Sequence, residues 1–229
     1  MAKVLIGLLV VAIGYGLLAY VILPRLWEQY ERQPGLVGKP MVTRTAQGIP
    51  GDPLNVGLVG TMDDIVAAMH AAGWYPADPI TWRSSIEIVG SVLLDRPYRH
   101  APVSDLYLEH RREDLAFEKP AGRSADQRHH VRFWQTKATG DDPRPLWLGA
   151  ASFDRGVGLS HDTGQITHHI GPDLDAERNN LMRDLETAGW LQSTYEIQGS
   201  GATTTGRNGG GDPFFTDGAA SVGVLISGP

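Results

Sequence analysis

An uncharged apolar run near the start of the chain, Val4 to Leu23, constrains the protein more than any other feature. A helix of about 20 residues rises about 30 Å, which matches the thickness of a bilayer's hydrocarbon core. Lys3 precedes the run, and Pro24 and Arg25 follow it. Nothing polar interrupts the run to give it the wet face of a soluble core helix. The sequence therefore predicts a transmembrane anchor within residues 1–26.

A cleavable signal peptide is the main alternative for this segment. Its apolar region would be shorter and would end at small residues, whereas this run continues into Pro24 and Arg25. An uncleaved single-pass anchor is therefore favoured. The orientation depends on which side of the run carries more positive charge: Lys3 and the terminal amine precede it, and Arg25 and Arg32 follow it. We predict that the N-terminus lies inside the cytoplasmic membrane and the bulk of the chain outside it.

Composition excludes several classes of function. The chain has no cysteine, so it has no thiolate metal site and no cysteine nucleophile. The formal net charge of -6 and the pI near 5.7 argue against a nucleic-acid surface.

The rest of the chain divides into a linker and a domain. Residues 27–53, rich in Gly, Pro and charge, are predicted to form a stalk. Residues 54–229 are long enough for one domain with its own core.

Two helices are predicted inside this domain. The first begins after Thr61, with Asp64 in a variant of the capping box, and ends at Gly73. The second begins at Asp173 and ends at Gly189. Both helices stop in the sequence Ala-Gly-Trp, which either common capping chemistry or an internal duplication would explain.

Short β-branched and aromatic runs separated by Gly and Pro predict sheet strands between the two helices. Hairpin-turn residues at 162–165 predict that the last two of these runs pair antiparallel. The Gly/Thr-rich segment 199–218 is predicted to be an ordered loop before a final strand at 221–227. The fold class is thus α+β, a mainly antiparallel sheet with two principal helices, after one N-terminal transmembrane helix. The predicted central strands are Val131 to Lys137, Leu146 to Asp154, Val157 to His161 and Ile166 to Ile170.

Six stretches together resemble the LssY C-terminal domain family, and the resemblance runs from about Asp52 to the end. They are AAGWYPADP, APVSDLYL, RREDLAFEKP, RHHVRFW, GAASFDRGVGLSHDTGQITHHI and NGGGDPFFTDG. The resemblance implies a bacterial, membrane-associated domain of poorly defined function, in some proteins fused to lipid-phosphatase-like membrane modules. It brings no established catalytic residues. Together with the predicted anchor, it places the protein in the bacterial cytoplasmic membrane, with the C-terminal domain on the outer side.

Histidines carry the chemistry that the sequence offers. A hairpin turning at 163–164 would place His161 opposite Ile166, and His161 and His168 would then share a face. Because side chains alternate along a strand, only one histidine of the pair 129–130 and one of the pair 168–169 can face a common centre. We choose His130 and His168. Imidazoles suit zinc and similar divalent metals. The predicted metal ligands are His130, His161 and His168, with Asp175 or Glu177 as a carboxylate ligand or base.

Other polar residues are predicted to line a ligand pocket. Arg132 presents a guanidinium fork suited to an anion, and the glycine loop before Asp212 could offer backbone N–H groups. Hydrogen bonding within the fold explains the same residues equally well. A serine hydrolase is not supported, since G-x-S-x-G is absent and Ser160 and His161 would face opposite ways. The ligand-binding candidates are Arg132, His129, His169, Asn208, Asp212 and Asp217.

Two functions of different classes follow from these residues. The first is a membrane-anchored, envelope-associated accessory or binding domain with a His/Asp/Arg pocket, working beside other envelope membrane proteins. The second is a metal-dependent hydrolase acting on a lipid-linked or phosphorylated envelope substrate. The sequence does not decide whether the protein is an enzyme.

The anchor prediction is tested by extraction. Because the apolar run is long enough to span a bilayer and lacks a cleavage site, the full chain should stay in the membrane fraction after a carbonate wash. The measurement is an immunoblot of pellet and supernatant, with the N-terminus of the retained protein sequenced. A shortened, soluble form recovered from cells would contradict the uncleaved anchor.

Overall fold

The computed structural model describes residues 2–23, 42–46, 48–77, 105–121, 127–137, 142–164, 166–198 and 204–227. It confirms the predicted α+β class, with an apolar N-terminal helix followed by two helices and mainly antiparallel sheets. Residues 27–41 of the predicted stalk lie outside the described residues.

The described residues contain three α-helices and fourteen strands. The helices are α1 (Ala2–Leu17), α2 (Met62–Ala71) and α3 (Leu174–Thr187). The strands are β1 (Val42–Thr45), β2 (Pro50–Pro53), β3 (Val56–Val59), β4 (Tyr75–Pro76), β5 (Leu106–Leu108), β6 (Arg111–Arg112), β7 (Leu115–Pro120), β8 (Arg128–Gln135), β9 (Leu146–Leu159), β10 (Ile166–Ile170), β11 (Leu191–Gln198), β12 (Thr205–Arg207), β13 (Pro213–Phe215) and β14 (Ala219–Leu225).

Helix α1 and the π-helical turn that continues it, Leu18–Ile22, cover the apolar run. The segment Lys3–Ile22, of 20 residues, is long and apolar enough to cross a membrane. Its large apolar side chains are exposed, as lipid-facing residues would be. A signal sequence near an N-terminus can pass the same test of length and apolar composition.

The main sheet has eight strands in the order β11-β14-β3-β9-β8-β7-β4, with β10 paired to the far end of β9. Strands β14 and β3 run parallel, and the other pairs are antiparallel. The sequence predicted two strands, at 146–154 and 157–161, where the structure has the single strand β9. Pairing with β10 carries β9 through Arg155 and Gly156, across a bulge.

Alternation along β8 divides its side chains between the two faces of the main sheet. Val131 and Phe133 face the helices, where they join the larger apolar core. Trp134 faces the other way, into a smaller core with Leu54 and Leu106. His130 and Arg132 share that second face with Trp134 by the same alternation. The helix-side core includes Ile65, Met69, Trp74, Phe117, Trp147, Leu181 and Leu185.

A four-stranded sheet, in the order β2-β1-β5-β6, contributes to the second core through Leu106 of β5. Strands β1 and β2 come from residues 42–53, which the sequence analysis assigned to the stalk, and so this part of that prediction is corrected. The pair is short and contains Pro50 and Pro53, so no alternating pattern indicated it. The Thr43 hydroxyl, which is buried, donates to the backbone oxygen of Asp52 at 2.8 Å.

The two Ala-Gly-Trp sequences end their helices in the same way. Gly73 and Gly189 have φ values of 80° and 74°. The N–H of Trp74 donates to the Met69 oxygen, and that of Trp190 to the Leu185 oxygen, which is the Schellman arrangement. The predicted capping box of Thr61 and Asp64 is also confirmed.

The chain returns to the core after the Gly/Thr-rich segment. From residue 204 onward it forms the β12–β13 hairpin, and Phe214 is buried against Ile170 and Leu174. The final strand then lies between β3 and β11. The prediction of an ordered loop before a last strand is confirmed for the described part, and residues 199–203 lie outside it.

Two glycines of β9 test the packing of the helix-side core. A Cβ at Gly149 would lie 2.7 Å from the Phe133 ring and 2.8 Å from Val56, whereas nothing lies within 4 Å at Gly156. We expect Gly149→Ala to lower the free energy of unfolding by about 1–3 kcal/mol through overpacking. Gly156→Ala, the control on the same strand, should leave it nearly unchanged. Urea unfolding measures both, and equal stability of the two variants would contradict the packing.

Candidate functional site

The second face of the main sheet carries a row of buried charges. Arg128 Nη1 lies 3.0 Å from Glu118 Oε2, and its Nε lies 2.9 Å from Asp154 Oδ2. The three residues sit on β7, β8 and β9 and are almost completely buried. An unpaired buried ion costs several kcal/mol, so this arginine and its two carboxylates depend on one another. The pairing ties three adjacent strands together.

His130 extends this row. Its Nε2 lies 2.8 Å from Ser152 Oγ, and its Nδ1 lies 3.1 Å from Asp154 Oδ1. The Ser152 hydroxyl donates to Asp52 Oδ2 at 3.2 Å, and Arg132 Nη1 lies 3.7 Å from the same oxygen. All of these residues are buried. We call the set the inner network: Asp52, Glu118, Arg128, His130, Arg132, Ser152 and Asp154.

Burial alone would lower the pKa of His130, but the Asp154 carboxylate outweighs it and raises the pKa above its usual value. Burial raises the pKa of Asp154, but electrostatic attraction to His130, His168 and Arg128 lowers it by more. The net result is a pKa well below the usual value. The pKa of Asp52 is likewise lowered, by His130 and Arg132 against burial. The inner network thus combines three acidic side chains with two guanidinium groups and one imidazole, in mutual contact.

The order Ser152–His130–Asp154 is that of a catalytic triad, but the chemistry of one is missing. A triad needs a neutral imidazole that accepts the serine proton. Here the raised pKa of His130 favours the imidazolium, which has no lone pair for that proton, and Ser152 donates its own proton to Asp52. Ser152 is also 0% exposed. The inner network is therefore a structural support in this conformation and not a nucleophile site.

A second cluster lies at the β9–β10 hairpin and combines His161, His169 and Asp212. His169 Nδ1 lies 2.8 Å from Asp212 Oδ1, and His161 Nε2 lies 3.5 Å from the same oxygen. The two imidazole rings are 5.0 Å apart between centroids. One ligand atom from each residue lies within 4.8 Å of the others, and no second such group occurs among the described residues. We call these three residues the hairpin centre.

Local hydrogen bonds shape the turn that carries His161. Ser160 Oγ accepts from the N–H groups of Asp162 and Thr163, and the N–H of Gly164 donates to the Ser160 oxygen. These bonds shape residues 160–164 into the loop that connects β9 to β10. The N–H of His161 then donates to the oxygen of Gly210, so the hairpin loop contacts the glycine loop.

The glycine loop holds Asp212 in place. Asn208 Oδ1 accepts from the N–H groups of Gly210 and Asp212. Gly211 has a φ of 83°, and a Cβ there would lie 2.5 Å from Asp162 Oδ2, so glycine is required. The other carboxylate oxygen of Asp212 accepts the N–H of Ile170 at 3.1 Å. Asp212 is thereby fixed beside both imidazoles.

The hairpin centre can be compared with the dimensions of a metal site. Ligand atoms held at about 2.1 Å from a tetrahedral ion lie about 3.4 Å from one another. The 3.5 Å between His161 Nε2 and Asp212 Oδ1 is close to that value, whereas the 2.8 Å between His169 Nδ1 and the same oxygen is the length of a hydrogen bond. The Asp212 side chain is 2% exposed, while those of His169 and His161 are 24% and 57% exposed. Solvent thus reaches one side of the centre, which is where a fourth ligand would bind.

Asp162 adjoins the hairpin centre and was missed in the sequence analysis. Its Oδ2 is buried and has no hydrogen-bond partner among the described residues. Burial raises its pKa, although Arg207 and His161 attract its charge. It follows His161 directly in the hairpin turn, and a carboxylate next to a candidate ligand histidine was the available signal.

The predicted metal set is corrected by the register of the hairpin. Leu159, not His161, lies opposite Ile166, so His161 belongs to the turn and approaches His169 rather than His168. His168 instead lies beside the inner network, with Nε2 3.3 Å from Arg128 Nη2. Burial lowers the pKa of His168 to about 4, so it is neutral and accepts from that arginine. His130 lies in the inner network.

The two predicted carboxylates have other partners. Glu177 lies 2.8 Å from His129 Nδ1, on the helix side of the sheet. Asp175 accepts from the Thr216 hydroxyl at 2.6 Å and from the N–H of Asp217 at 2.8 Å. Neither belongs to the group formed by the hairpin centre.

The ligand-binding candidates divide in the same way. His169 and Asp212 belong to the hairpin centre, and Asn208 supports it from the glycine loop. Arg132 is in the inner network, and Asp217 forms a two-pronged ion pair with Arg178. The sequence did not indicate Glu118, Arg128, Ser152 or Asp154, although the alternation of polar residues at 128, 130 and 132 was a signal for a polar face.

Comparison with known proteins gives one match. A family model described as the LssY C-terminus matches residues 30–220. No curated protein and no solved structure matches the chain. The hairpin centre and the inner network both lie within the matched residues.

The raised pKa of His130 predicts how stability depends on pH. A group with a higher pKa in the folded state adds stability that is complete below its unfolded pKa, about 6.5, and is lost as pH rises through the folded value. We therefore expect the free energy of unfolding to fall as pH is raised above neutrality. In His130→Gln this fall should be smaller, because no proton is lost from that position.

Urea unfolding at several pH values, followed by tryptophan fluorescence in detergent micelles, measures this slope. His70→Gln is the control, since His70 is exposed on α2 and lies outside the inner network. An identical pH slope in His130→Gln and the unchanged chain would contradict a protonated His130.

Proposed function

The chain belongs to the LssY C-terminus family, and we propose that it is a membrane-anchored, envelope-associated accessory domain that binds a divalent metal ion at the hairpin centre. The observation that carries this proposal is the convergence of His161, His169 and Asp212 on one point. Two imidazoles and one carboxylate are a donor set that zinc accepts readily. Zinc is therefore the first metal to test.

The surroundings of the hairpin centre support metal binding. Ligand carboxylates in metal sites are held by further hydrogen bonds, and Asp212 accepts one from the Ile170 N–H. The loop that carries Asp212 is fixed by the Asn208 side chain before any ion arrives. Asp162 adds a second nearby carboxylate, so a cation would relieve repulsion between Asp162 and Asp212.

The membrane part of the proposal rests on α1 and its π-helical extension. The 20-residue segment Lys3–Ile22, whose large apolar side chains are exposed, supports a single span. The lack of a small-residue cleavage site after it favours an anchor over a signal peptide. We propose that the domain lies on the outer side of the bacterial cytoplasmic membrane. Its partners there would be the lipid surface and other envelope membrane proteins.

A metal-dependent hydrolase is the second candidate. It is favoured by one observation, the exposed side of a centre with three protein ligands. Catalytic zinc sites keep such a position for water, whose pKa the metal lowers to about 7. A lipid-linked or phosphorylated envelope molecule would be the substrate. In this reading Asp162 would hold or accept a proton of the bound water.

Metal content tests the proposal directly. The full chain, purified in detergent without chelators and incubated with zinc, should contain close to one metal ion per chain by elemental analysis. His161→Ala should lower zinc affinity at least about tenfold, because even the loss of a supporting residue costs 10–100-fold. The exposed position of His161 means that the fold should survive this change.

His70→Ala is the matched control, since it removes another exposed imidazole. Zinc binding unaffected by His161→Ala, or no metal after incubation with zinc, manganese and iron, would refute the metal centre. Hydrolysis of para-nitrophenyl phosphate that needs the metal and is lost in His161→Ala would favour the hydrolase over the accessory domain.

A further inference from the structure

Arg207, the last residue of β12, lies beside the hairpin centre. Its Nη1 donates to the backbone oxygen of Gly211 at 2.6 Å, and Gly211 directly precedes Asp212. A Cβ at Gly211 would lie 2.5 Å from Asp162 Oδ2 and 2.9 Å from the Cβ of His161, so this glycine packs against both residues. Gly211 is therefore the residue through which Arg207 adjoins the hairpin centre.

The guanidinium group of Arg207 is held in a form that suits anion recognition. Arg207 is exposed, and so is His161 on the open side of the centre. The bond to the Gly211 oxygen is made by Nη1, which positions the planar fork without using Nε or Nη2. The edge formed by Nε and Nη2 is one with which arginine binds two oxygens of a phosphate or carboxylate group.

The hairpin centre becomes positively charged when a divalent ion binds. Two neutral imidazoles and the Asp212 carboxylate leave one positive charge of the ion uncompensated. Arg207 adds a second positive charge, and an ionised Asp162 removes one. The loaded centre is positive whether or not Asp162 is ionised, so its open position suits an anion.

We propose that the metal-loaded hairpin centre binds a phosphomonoester group, with one phosphate oxygen on the metal and two on the Nε–Nη2 edge of Arg207. This inference rests on the metal ion of the proposed function. A phosphomonoester has three terminal oxygens and makes both contacts at once, whereas a carboxylate has two oxygens and makes only one of them in full. Arg207 is thus the residue that selects phosphate. Soluble phosphomonoesters and the headgroup of phosphatidic acid share this chemistry.

Phenylphosphonate is the probe, because it has three such oxygens and a P–C bond that is not hydrolysed. Its binding is measured by titration calorimetry of the full chain in detergent, loaded with zinc and freed of excess metal. We expect Arg207→Gln to weaken binding at least about tenfold while the zinc content stays near one ion per chain. Arg207→Lys should recover only part of the affinity, since lysine keeps the charge but lacks the fork. Benzoate should bind more weakly than phenylphosphonate.

Arg44→Gln is the matched control, because Arg44 is also exposed and donates from Nη1 to a glycine oxygen, that of Gly48. An equal loss of affinity in Arg44→Gln would overturn the proposal, since general positive charge would then explain the binding. Binding that is unaffected in both Arg207 variants would also overturn it. If Arg207→Gln loses zinc, the comparison is made with Arg207→Lys, which keeps a donor for the Gly211 oxygen.

Elemental analysis of the same samples separates the two proposals. A chain that takes up no zinc would refute the metal centre, whereas a zinc-loaded chain that does not bind phenylphosphonate would refute only the phosphate site.

Vesicles distinguish the two sources of the phosphate group. The zinc-loaded chain is reconstituted in phosphatidylcholine vesicles that contain phosphatidic acid or, as a control with an anionic phosphodiester, phosphatidylglycerol. Weaker phenylphosphonate binding with phosphatidic acid alone would support the phosphate site and assign it to a lipid headgroup. Equal binding in both vesicles, still dependent on Arg207, would support the site and assign it to a soluble phosphomonoester.

Discussion

The ion pairs of Arg128 with Glu118 and Asp154 are the interaction on which the rest of the domain depends. They join β7, β8 and β9 at the point where the pairing of β9 with β8 ends and its pairing with β10 begins. A neutral side chain at any of the three positions would leave an uncompensated buried charge. The far end of β9 carries the turn with His161, so the hairpin centre extends from a strand that the inner network holds.

The same sheet places its histidines in three contrasting environments. The pKa of His130 is raised by the carboxylates around it, whereas burial lowers that of His168, which lies two strands away on β10. His161 is largely exposed beside one fixed carboxylate. Only this last arrangement leaves room for an external ligand. The functional proposal therefore rests on exposure and on the hydrogen bonds that hold Asp212, and not on the number of histidines in the sequence.

Local signals in the sequence predicted the helices and the hairpin, but not the pairing that decides the site. Capping residues such as Thr61 and Gly73 act within one turn of helix, so their effect can be predicted from neighbours alone. The observed register differs from the predicted one by two residues, which by itself leaves each side chain on its face. His161 meets His169 because it lies in the loop, where Ser160 accepts hydrogen bonds from the backbone. Strand β11 escaped prediction because it is exposed on both faces and has no apolar alternation.

The parallel pairing of β14 with β3 has a consequence for the order of folding. Strand β3 lies near the start of the domain and β14 near the end of the described residues, and β14 connects β11 to the remainder of the sheet. Contacts between segments so far apart in sequence form slowly, because a long loop must close before they contribute stability. The β7–β10 meander can form from local hairpins, but the complete sheet must wait for β14. Until then the second edge of β3 is unpaired, and an unpaired strand edge is the feature of a folding intermediate that is most prone to aggregation.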